Sequence, residues 1–313
     1  MSTERSVTPT VEESKMRMDA WVAKQFPDLP KRLLRKWLEE GNVRLNGRVC
    51  SKGDRVIAGQ TYQLIGEPHQ ETLQPNPTIE LAIVYEDEDL IAINKPAGID
   101  CQPNALAETD TLANAFLARY PFLEGIGDTP LTCGILHRID HDTSGLVLVA
   151  KTQEVYEAMR QQFSAHSVEK HYRALVRGRV AVDGKLEHFL AHNPRCPGRM
   201  VDASQWRDVK RPMRAVTAYH PLHPVRVRDL NCSLLDVCIF TGVTHQIRAQ
   251  LSFAGFPILG DVRYGGQTPN EPFARHFLHA YTATFVHPRT QQVKTLKAPL
   301  TEDYQRVLGH TVH

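Results

Sequence analysis

The spacing of apolar residues predicts a small α/β unit near the start of the chain. Apolar positions recur with a helical period at 18–22 and at 33–38, which predicts two short helices, and Gly41 ends the second. An alternating strand then leads into an Asn46–Gly47 turn, and a second short strand follows near 61–65. Two helices and a hairpin are therefore expected in this part of the chain.

The pattern after residue 79 alternates strands with helices and shows no internal repeat. Two apolar strands joined by the acidic turn 86–89 open this part. A charged, hydroxyl-rich stretch, 137–145, precedes an apolar run, 146–150, that is typical of a buried strand. We expect one large domain here. Its further predicted elements are helices at 111–120, 155–165 and 251–254 and strands at 170–178, 234–240 and 281–286.

The domain boundaries follow from a polar stretch with three prolines at 67–78, which predicts a linker. We therefore expect a flexible tail at 1–14, a small domain at 15–66 and a large domain at 79–313.

Composition restricts the class of protein. The 42% hydrophobic and 23% charged fractions are ordinary for a soluble globular protein. The N-terminus is polar, and every apolar run is much shorter than the roughly 20 residues that a membrane span needs. Six scattered cysteines form neither a CxxC pair nor a dense framework. We therefore expect a reduced, cytoplasmic setting without membrane insertion.

Positive charge is concentrated in the first part of the chain, although the formal net charge is only +2. From 15 to 55 there are eleven Lys or Arg against five Asp or Glu. These side chains predict a basic face that binds RNA phosphates, and the alternative is a solvated helix without a partner. A second basic stretch, 190–214, is expected to be irregular, either as a loop that grips RNA or as a disordered surface loop. The residues of the first face are Lys31, Arg32, Arg35, Lys36, Arg44 and Arg48.

Polar residues at strand ends are the candidates for chemistry: Arg138 with Asp140, Tyr172, and His245 with Arg248. A buried carboxylate needs a nearby cation to stay ionised, because burial alone raises its pKa. An Asp, an Arg and a Tyr therefore make one reactive site if the fold brings them together. The alternative is structural, with Asp140 capping the following turn and Arg248 pairing with it for packing alone.

Two other chemistries fit the same stretch less well. His137 and His141 have helical spacing, but Arg138 stands where the zinc-protease pattern has Glu, so we expect no metal site. A hydrolase would use a histidine with Ser144, but the Gly-x-Ser-x-Gly elbow is absent and a strand follows the serine.

The motif from His137 to Lys151 resembles the signature of the RluA-type pseudouridine synthases, with Ile139 as a conservative change. Three further blocks resemble that family in the same order, and residues 16–65 resemble the S4 RNA-binding domain. The resemblance implies an α+β fold, in which a mixed, mainly antiparallel sheet is flanked by helices and preceded by a small S4-like α/β domain. The three blocks are 85–98, 170–178 and 241–265.

The resemblance also implies a reaction, the isomerisation of uridine in RNA to pseudouridine. The bond from ribose C1′ to uracil N1 breaks, the ring turns, and C5 joins C1′. No atoms are gained or lost, so neither a redox cofactor nor a metal is expected. Carried over by position, Asp140 is the catalytic carboxylate, Tyr172 packs beside the target ring and assists proton removal from C5, and Arg248 pairs with Asp140.

The predicted substrate contacts surround these residues. Arg138 is expected to enter the helix that a flipped uridine vacates. His137, Thr143 and His245 are further expected contacts, although the hydroxyls of Thr143 and Ser144 more often brace such a turn by bonding to nearby backbone.

One departure from the family affects this site. The family usually has Arg where this chain has Val243, so Arg248 or Arg173 is expected to supply the missing contacts.

The expected partner is RNA, with large-subunit ribosomal RNA favoured and transfer RNA as the alternative. A non-catalytic RNA-binding or ribosome-assembly protein that keeps the synthase fold is the rival function. We expect a monomer. Three targets are open for Asp140: C1′, the uracil ring and a ribose proton.

Overall fold

A computed structural model describes residues 4–27, 29, 31–68, 73–267 and 273–309. The chain folds as two compact units, Met1–Thr72 and Leu73–His313. Across the described ranges, no helix combines the length and the apolar character needed to cross a membrane.

The small unit packs two helices against a four-stranded sheet. A buried cluster that includes Trp21, Leu38 and Tyr62 lies between them. Asn46 and Gly47 have φ values of 51° and 78°, which suits the tight turn between strands β2 and β3. The predicted helices, hairpin and later strand are thus confirmed. The elements are β1 Glu4–Val7, α1 Met18–Gln25, α2 Lys31–Glu39, β2 Val43–Leu45, β3 Arg48–Val49 and β4 Tyr62–Ile65, with sheet order β1-β4-β2-β3.

The expectation of a flexible tail at 1–14 is wrong for the described residues of that segment. Strand β1 pairs with β4 in antiparallel register from Glu4↔Ile65 to Val7↔Tyr62. The segment is mostly exposed and lacks an apolar period, so the sequence carries no signal for it. Its order comes from backbone hydrogen bonds to an otherwise open edge of the sheet.

The large unit is built on one ten-stranded sheet, which is antiparallel except where β7 pairs with β13 in parallel. Strand β7 is buried along its whole length. The expected mixed, mainly antiparallel sheet with flanking helices is therefore confirmed. The strands are β5 Ile83–Glu86, β6 Leu90–Lys95, β7 Ser144–Ala150, β8 Glu169–Arg177, β9 Gly184–Asn193, β10 Cys196–Asp202, β11 Met213–Val227, β12 Leu230–Ile239, β13 Leu278–Val286 and β14 Val293–Lys297, in the order β10-β9-β11-β12-β8-β13-β7-β6-β5 with β14 also on β13.

In the described part of the large unit, four α-helices accompany this sheet. Apolar side chains of α3 and α4, among them Phe116 and Met159, join the central core around β6 and β7. Ala249 and Leu251 of α5 are also buried. The helices are α3 Leu112–Arg119, α4 Gln153–Ser164, α5 Gln246–Phe253 and α6 Glu302–Gly309.

The expectation of an irregular segment at 190–214 is wrong for most of its length. Strand β10 pairs with β9, with a register shift between Cys196 and Met200. Pro197 and Gly198 within β10 weaken its strand pattern, but β10 lies at the edge of the sheet, where a residue without an N–H is tolerated.

Gly145 on β7 provides a test of this architecture. Its φ is +116°, and an added Cβ would lie 2.2 Å from the backbone oxygen of Ala280 on the parallel strand β13. We therefore expect Gly145→Ala to lower the free energy of unfolding by about 2 to 4 kcal/mol, through strain and overlap.

Denaturant unfolding of purified protein measures this effect. Gly309→Ala is the control, because an added Cβ there meets nothing within 4 Å. Equal stability of the two variants would contradict the proposed close approach of β7 and β13.

Candidate active site

The loop 137–143 lies directly before buried strand β7 and forms part of a cavity of about 550 Å³. Asp140, Tyr172 and Arg248 all line this cavity, so the fold brings together three residues from distant parts of the sequence. The side chain of Asp140 is 25% exposed, which leaves its carboxylate accessible.

A buried lysine fixes the loop on one side. The ammonium of Lys95 donates hydrogen bonds to the backbone oxygens of Pro96 (3.0 Å), Ile99 (2.7 Å) and His141 (2.8 Å). The N–H of Gly98 also donates to His141 O at 3.0 Å. Burial lowers the pKa of Lys95 to about 8. The residue after Asp140 is thus held by two donors from the end of β6.

Two buried histidines hold the other end of the loop. The hydroxyl of Thr143 lies 2.8 Å from His276 Nε2, and that of Ser144 lies 2.9 Å from His279 Nδ1. Burial lowers the pKa of each histidine to about 4, so both rings are neutral near pH 7. Thr143 is only 1% exposed. Thr143 also lines the cavity, so its expected contact with RNA stays a prediction, while its bond to His276 fits the bracing role.

Arg248 joins two carboxylates. Its Nη1 donates to Asp140 Oδ2 at 2.8 Å, while Nε and Nη2 donate to the two oxygens of Asp261 at 2.7 and 3.1 Å. Burial would raise the pKa of Asp261, but hydrogen bonds and charge from Arg248 outweigh it and lower that pKa. Asp261 also accepts from the backbone N–H groups of Arg263 and Tyr264. Arg248 is therefore anchored from behind while it contacts Asp140.

Tyr172 supplies an aromatic wall. It lies on β8 and is 8% exposed. Burial, with a smaller effect from the charge of Asp140, raises the pKa of Tyr172, so the phenol is neutral near pH 7. A phenol can accept a proton only after losing its own, so the ring offers packing more readily than base catalysis.

His245 approaches Asp140 from the start of α5. Its Nε2 lies 3.9 Å from Asp140 Oδ2, and its Nδ1 lies 3.0 Å from the hydroxyl of Tyr264. The residue has a φ of +53°, which is uncommon for a residue other than Gly. Burial lowers the pKa of His245. A neutral imidazole thus lies beside the carboxylate.

The two residues before Ile139 differ in their surroundings. His137 Nε2 accepts a hydrogen bond from Leu148 N, and its ring stacks on Phe163 at 5.0 Å. Burial lowers the pKa of His137 to about 3. Arg138 is exposed on the cavity wall. Arg138 is therefore free to reach RNA, whereas His137 is largely committed to the fold.

The family usually has Arg at the position of Val243, and we expected Arg248 or Arg173 to supply its contacts. Arg248 lines the cavity, but Arg173 does not. Arg173 pairs with Asp236 and stacks on Tyr281, with its guanidinium carbon 4.1 Å from the ring centroid. Neighbouring residues of a strand face opposite sides of a sheet, so Arg173 points away when Tyr172 points toward the cavity. The Arg173 alternative is wrong.

The small unit keeps its predicted basic residues on its surface. Lys31 and Arg35 lie exposed on α2, and Arg44 and Arg48 lie exposed on the β2–β3 hairpin. Lys36 forms an i,i+4 ion pair at 3.8 Å with Glu40. The side chain of Arg32 lies outside the described part of the chain.

Sequence reasoning missed several residues of the site, above all Asp261, Lys95 and His276. Asp261 and Lys95 stand inside the blocks that resemble the family, but nothing in their spacing shows which group each one contacts. A buried Arg248 has more N–H donors than Asp140 alone can satisfy. This shortage of acceptors could have predicted a second acid such as Asp261.

Comparisons with known proteins show which sequences and structures this chain resembles. The sequence profile described as RNA pseudouridylate synthase matches residues 89–253, and the S4 domain profile matches 16–61. A Neisseria meningitidis protein named ribosomal large subunit pseudouridine synthase D is 35% identical, covering 94% of this chain and 78% of that protein. One of the same name from Xanthomonas campestris is 32% identical, covering 94% and 88%. The structure of human RNA pseudouridylate synthase domain containing 1 matches with a TM-score of 0.58 at 26% identity, covering 73% of this chain and 86% of that one. The chain belongs to the RNA pseudouridylate synthase family and carries an S4 domain before its synthase domain.

Proposed function

We propose that this protein converts specific uridines of large-subunit ribosomal RNA to pseudouridine, with Asp140 as the reacting carboxylate. The family membership supplies the reaction class. The observation that most directly supports the proposal is the accessible carboxylate of Asp140. Its Oδ2 lies 2.8 Å from Arg248 Nη1, in a cavity that Tyr172 also lines. The names of the two bacterial relatives support the choice of RNA.

A carboxylate suits the bond that breaks. Cleavage between C1′ and N1 develops positive charge on the sugar, which an ionised Asp140 stabilises or traps. Attack on C1′, addition to the uracil ring and removal of a ribose proton are all compatible with its position. In this proposal Arg248 is a positioning residue that orients the carboxylate, and Tyr172 packs against the target ring.

The exposed Arg138 supports base extrusion. A uridine within a stack cannot reach a carboxylate inside a cavity, so it must leave the stack first. Arg138 lies two residues before Asp140 on the cavity wall, where its guanidinium can replace the extruded base. The volume of about 550 Å³ falls in the range of small-molecule pockets and suits one nucleoside.

Two alternatives remain distinct from this proposal. Transfer RNA would undergo the same chemistry, whereas a non-catalytic RNA-binding protein would leave uridine unchanged. We also propose that the protein acts as a monomer.

The first prediction about function concerns Asp140. Asp140→Asn keeps the shape but removes the negative charge, so we expect conversion to fall by at least about a thousandfold. Pseudouridine is mapped in RNA from cells lacking the gene, after incubation with purified protein. Asp142→Asn, an exposed carboxylate in the same loop, is the control and should keep activity. Undiminished conversion by Asp140→Asn would remove Asp140 as the catalyst.

The same maps test the substrate. A site lost from large-subunit ribosomal RNA in the deletion strain, and restored by the wild-type gene alone, supports the proposal. Loss confined to transfer RNA would instead support the alternative substrate. If no site is lost, the rival binding function is favoured.

The second prediction concerns Asp261. Asp261→Asn removes the charge that anchors Arg248, so we expect the free energy of unfolding to fall by about 3 kcal/mol. We also expect kcat to fall at least about tenfold, because Asp140 loses its oriented partner. Asp236→Asn breaks the Arg173 pair outside the cavity and should reduce stability without reducing kcat. Similar kcat values for both variants would argue against positioning through Arg248.

The third prediction concerns the basic face. Replacing Lys31, Arg44 and Arg48 together with Gln should make the slope of log K against log salt less negative by about 2, as expected for three lost phosphate contacts. Filter binding to ribosomal RNA at several salt concentrations measures the slope. Lys24→Gln, exposed on α1 of the same unit, is the control. An unchanged slope would remove the RNA-binding role of this face.

A further inference from the structure

One wall of the cavity takes no part in the mechanism above. It is formed by the end of α4 and the start of β8, which contribute Arg160, Phe163, Ser164, His166 and Lys170. Arg160 and Lys170 are cations, and no carboxylate belongs to this wall.

Lys170 is partly buried and lacks an anionic partner. Its ammonium lies 5.7 Å from the centroid of the Phe163 ring. Throughout the described ranges, no carboxylate or carbonyl oxygen accepts a hydrogen bond from it. Burial lowers the pKa of Lys170, which reflects the cost of its desolvation. The ammonium therefore keeps its full hydrogen-bonding capacity for a ligand.

Other buried cations of this unit are fully compensated. Lys95 donates to three carbonyl oxygens, Arg248 contacts two carboxylates, and Arg275 pairs with Asp303. Leaving a desolvated charge without a partner is costly. A partly buried ammonium on the wall of an open cavity thus indicates that the ligand supplies the anion.

Arg160 adds a second positive charge. It donates to Leu136 O at 3.2 Å and lies 3.9 Å from Asp128, but its side chain remains 42% exposed. The carboxylates that line the cavity elsewhere, Asp100 and Asp140, repel an anion. An anionic part of the ligand is therefore directed toward Arg160 and Lys170, and a neutral part toward Asp140.

We propose that Lys170, assisted by Arg160, binds a backbone phosphate that adjoins the extruded uridine. The inference rests on the proposed function, because it takes the ligand to be an RNA nucleotide. Lys170 and Tyr172 are two positions apart on the same face of β8, about 6.6 Å along the strand. A single nucleotide spans that separation, with its base against Tyr172 and its phosphate against Lys170.

The test compares the affinities of the full chain for uridine, uridine 5′-monophosphate and uridine 3′-monophosphate by isothermal titration. Wild-type protein should bind one of the monophosphates at least about tenfold more tightly than uridine, through a charge-assisted hydrogen bond. The monophosphate that is favoured identifies the side of the nucleotide. Lys170→Met should reduce the preference to near one, and Lys170→Arg should retain it.

The control is Lys297→Met. Lys297 also stacks on an aromatic ring, 4.7 Å from the centroid of Tyr281, but lies outside the cavity wall. It should keep the wild-type preference. The proposal is overturned if wild-type protein shows no preference, if Lys170→Met keeps it, or if Lys297→Met loses it equally.

Melting temperatures separate a loss of phosphate binding from a loss of folding, and the titrations do not depend on catalysis. Lys170→Met removes a desolvated charge, so its melting temperature should equal or exceed that of wild type. If the melting temperature falls, Lys170→Arg decides, and loss of the preference in that variant overturns the proposal. The titrations measure binding alone, so an active Asp140→Asn protein would refute the proposed catalyst without touching this phosphate site.

Discussion

The contact between Arg248 and its two carboxylates is the interaction on which the site depends. Asp261 is almost fully buried and receives two hydrogen bonds from the guanidinium, while Asp140 receives one at the cavity surface. A buried Arg248 that contacted Asp261 alone would leave its Nη1 donor without this carboxylate acceptor, and Asp140 without Arg248 would be free to rotate. Buried Asp261 therefore holds Arg248 in place, and Arg248 in turn fixes the orientation of the accessible Asp140 carboxylate.

The loop that carries Asp140 is held by buried polar groups from both sides. The Lys95 ammonium binds the backbone at His141, and neutral His276 contacts the hydroxyl of Thr143. Each group would be costly to bury alone, but their hydrogen bonds are made within the fold. Because β7 is buried along its whole length, the loop ends at a rigid position. The position of Asp140 is thus fixed by hydrogen bonds to its loop from Lys95 and His276 and by the buried apolar strand β7 that follows the loop.

Charge is distributed unequally around the cavity. Near Asp140 the positive charge of Arg248 is balanced by carboxylates, whereas Lys170 on the adjoining wall has no such balance. A cavity of this kind favours a ligand that is neutral at one end and anionic at the other. A nucleotide within RNA has that polarity, and the basic residues of the S4 domain lie on a surface suited to the same polyanion.

The sequence by itself determined the family, the α+β class and most helices and strands, because apolar periodicity and ordered motifs are local properties. It also named Asp140, Tyr172 and Arg248 as candidates for one site, and all three line the same cavity. It failed where order depends on pairing with a distant strand, as for β1 on β4 and β10 on β9. It also failed for Asp261, Lys95 and Lys170, since a hydrogen bond between distant segments leaves no mark on spacing. Only the tertiary structure decided that Arg173 faces away, that Thr143 is buried, and which cations are already compensated. The physical reason is that burial and partner choice are set by how strands cross in three dimensions.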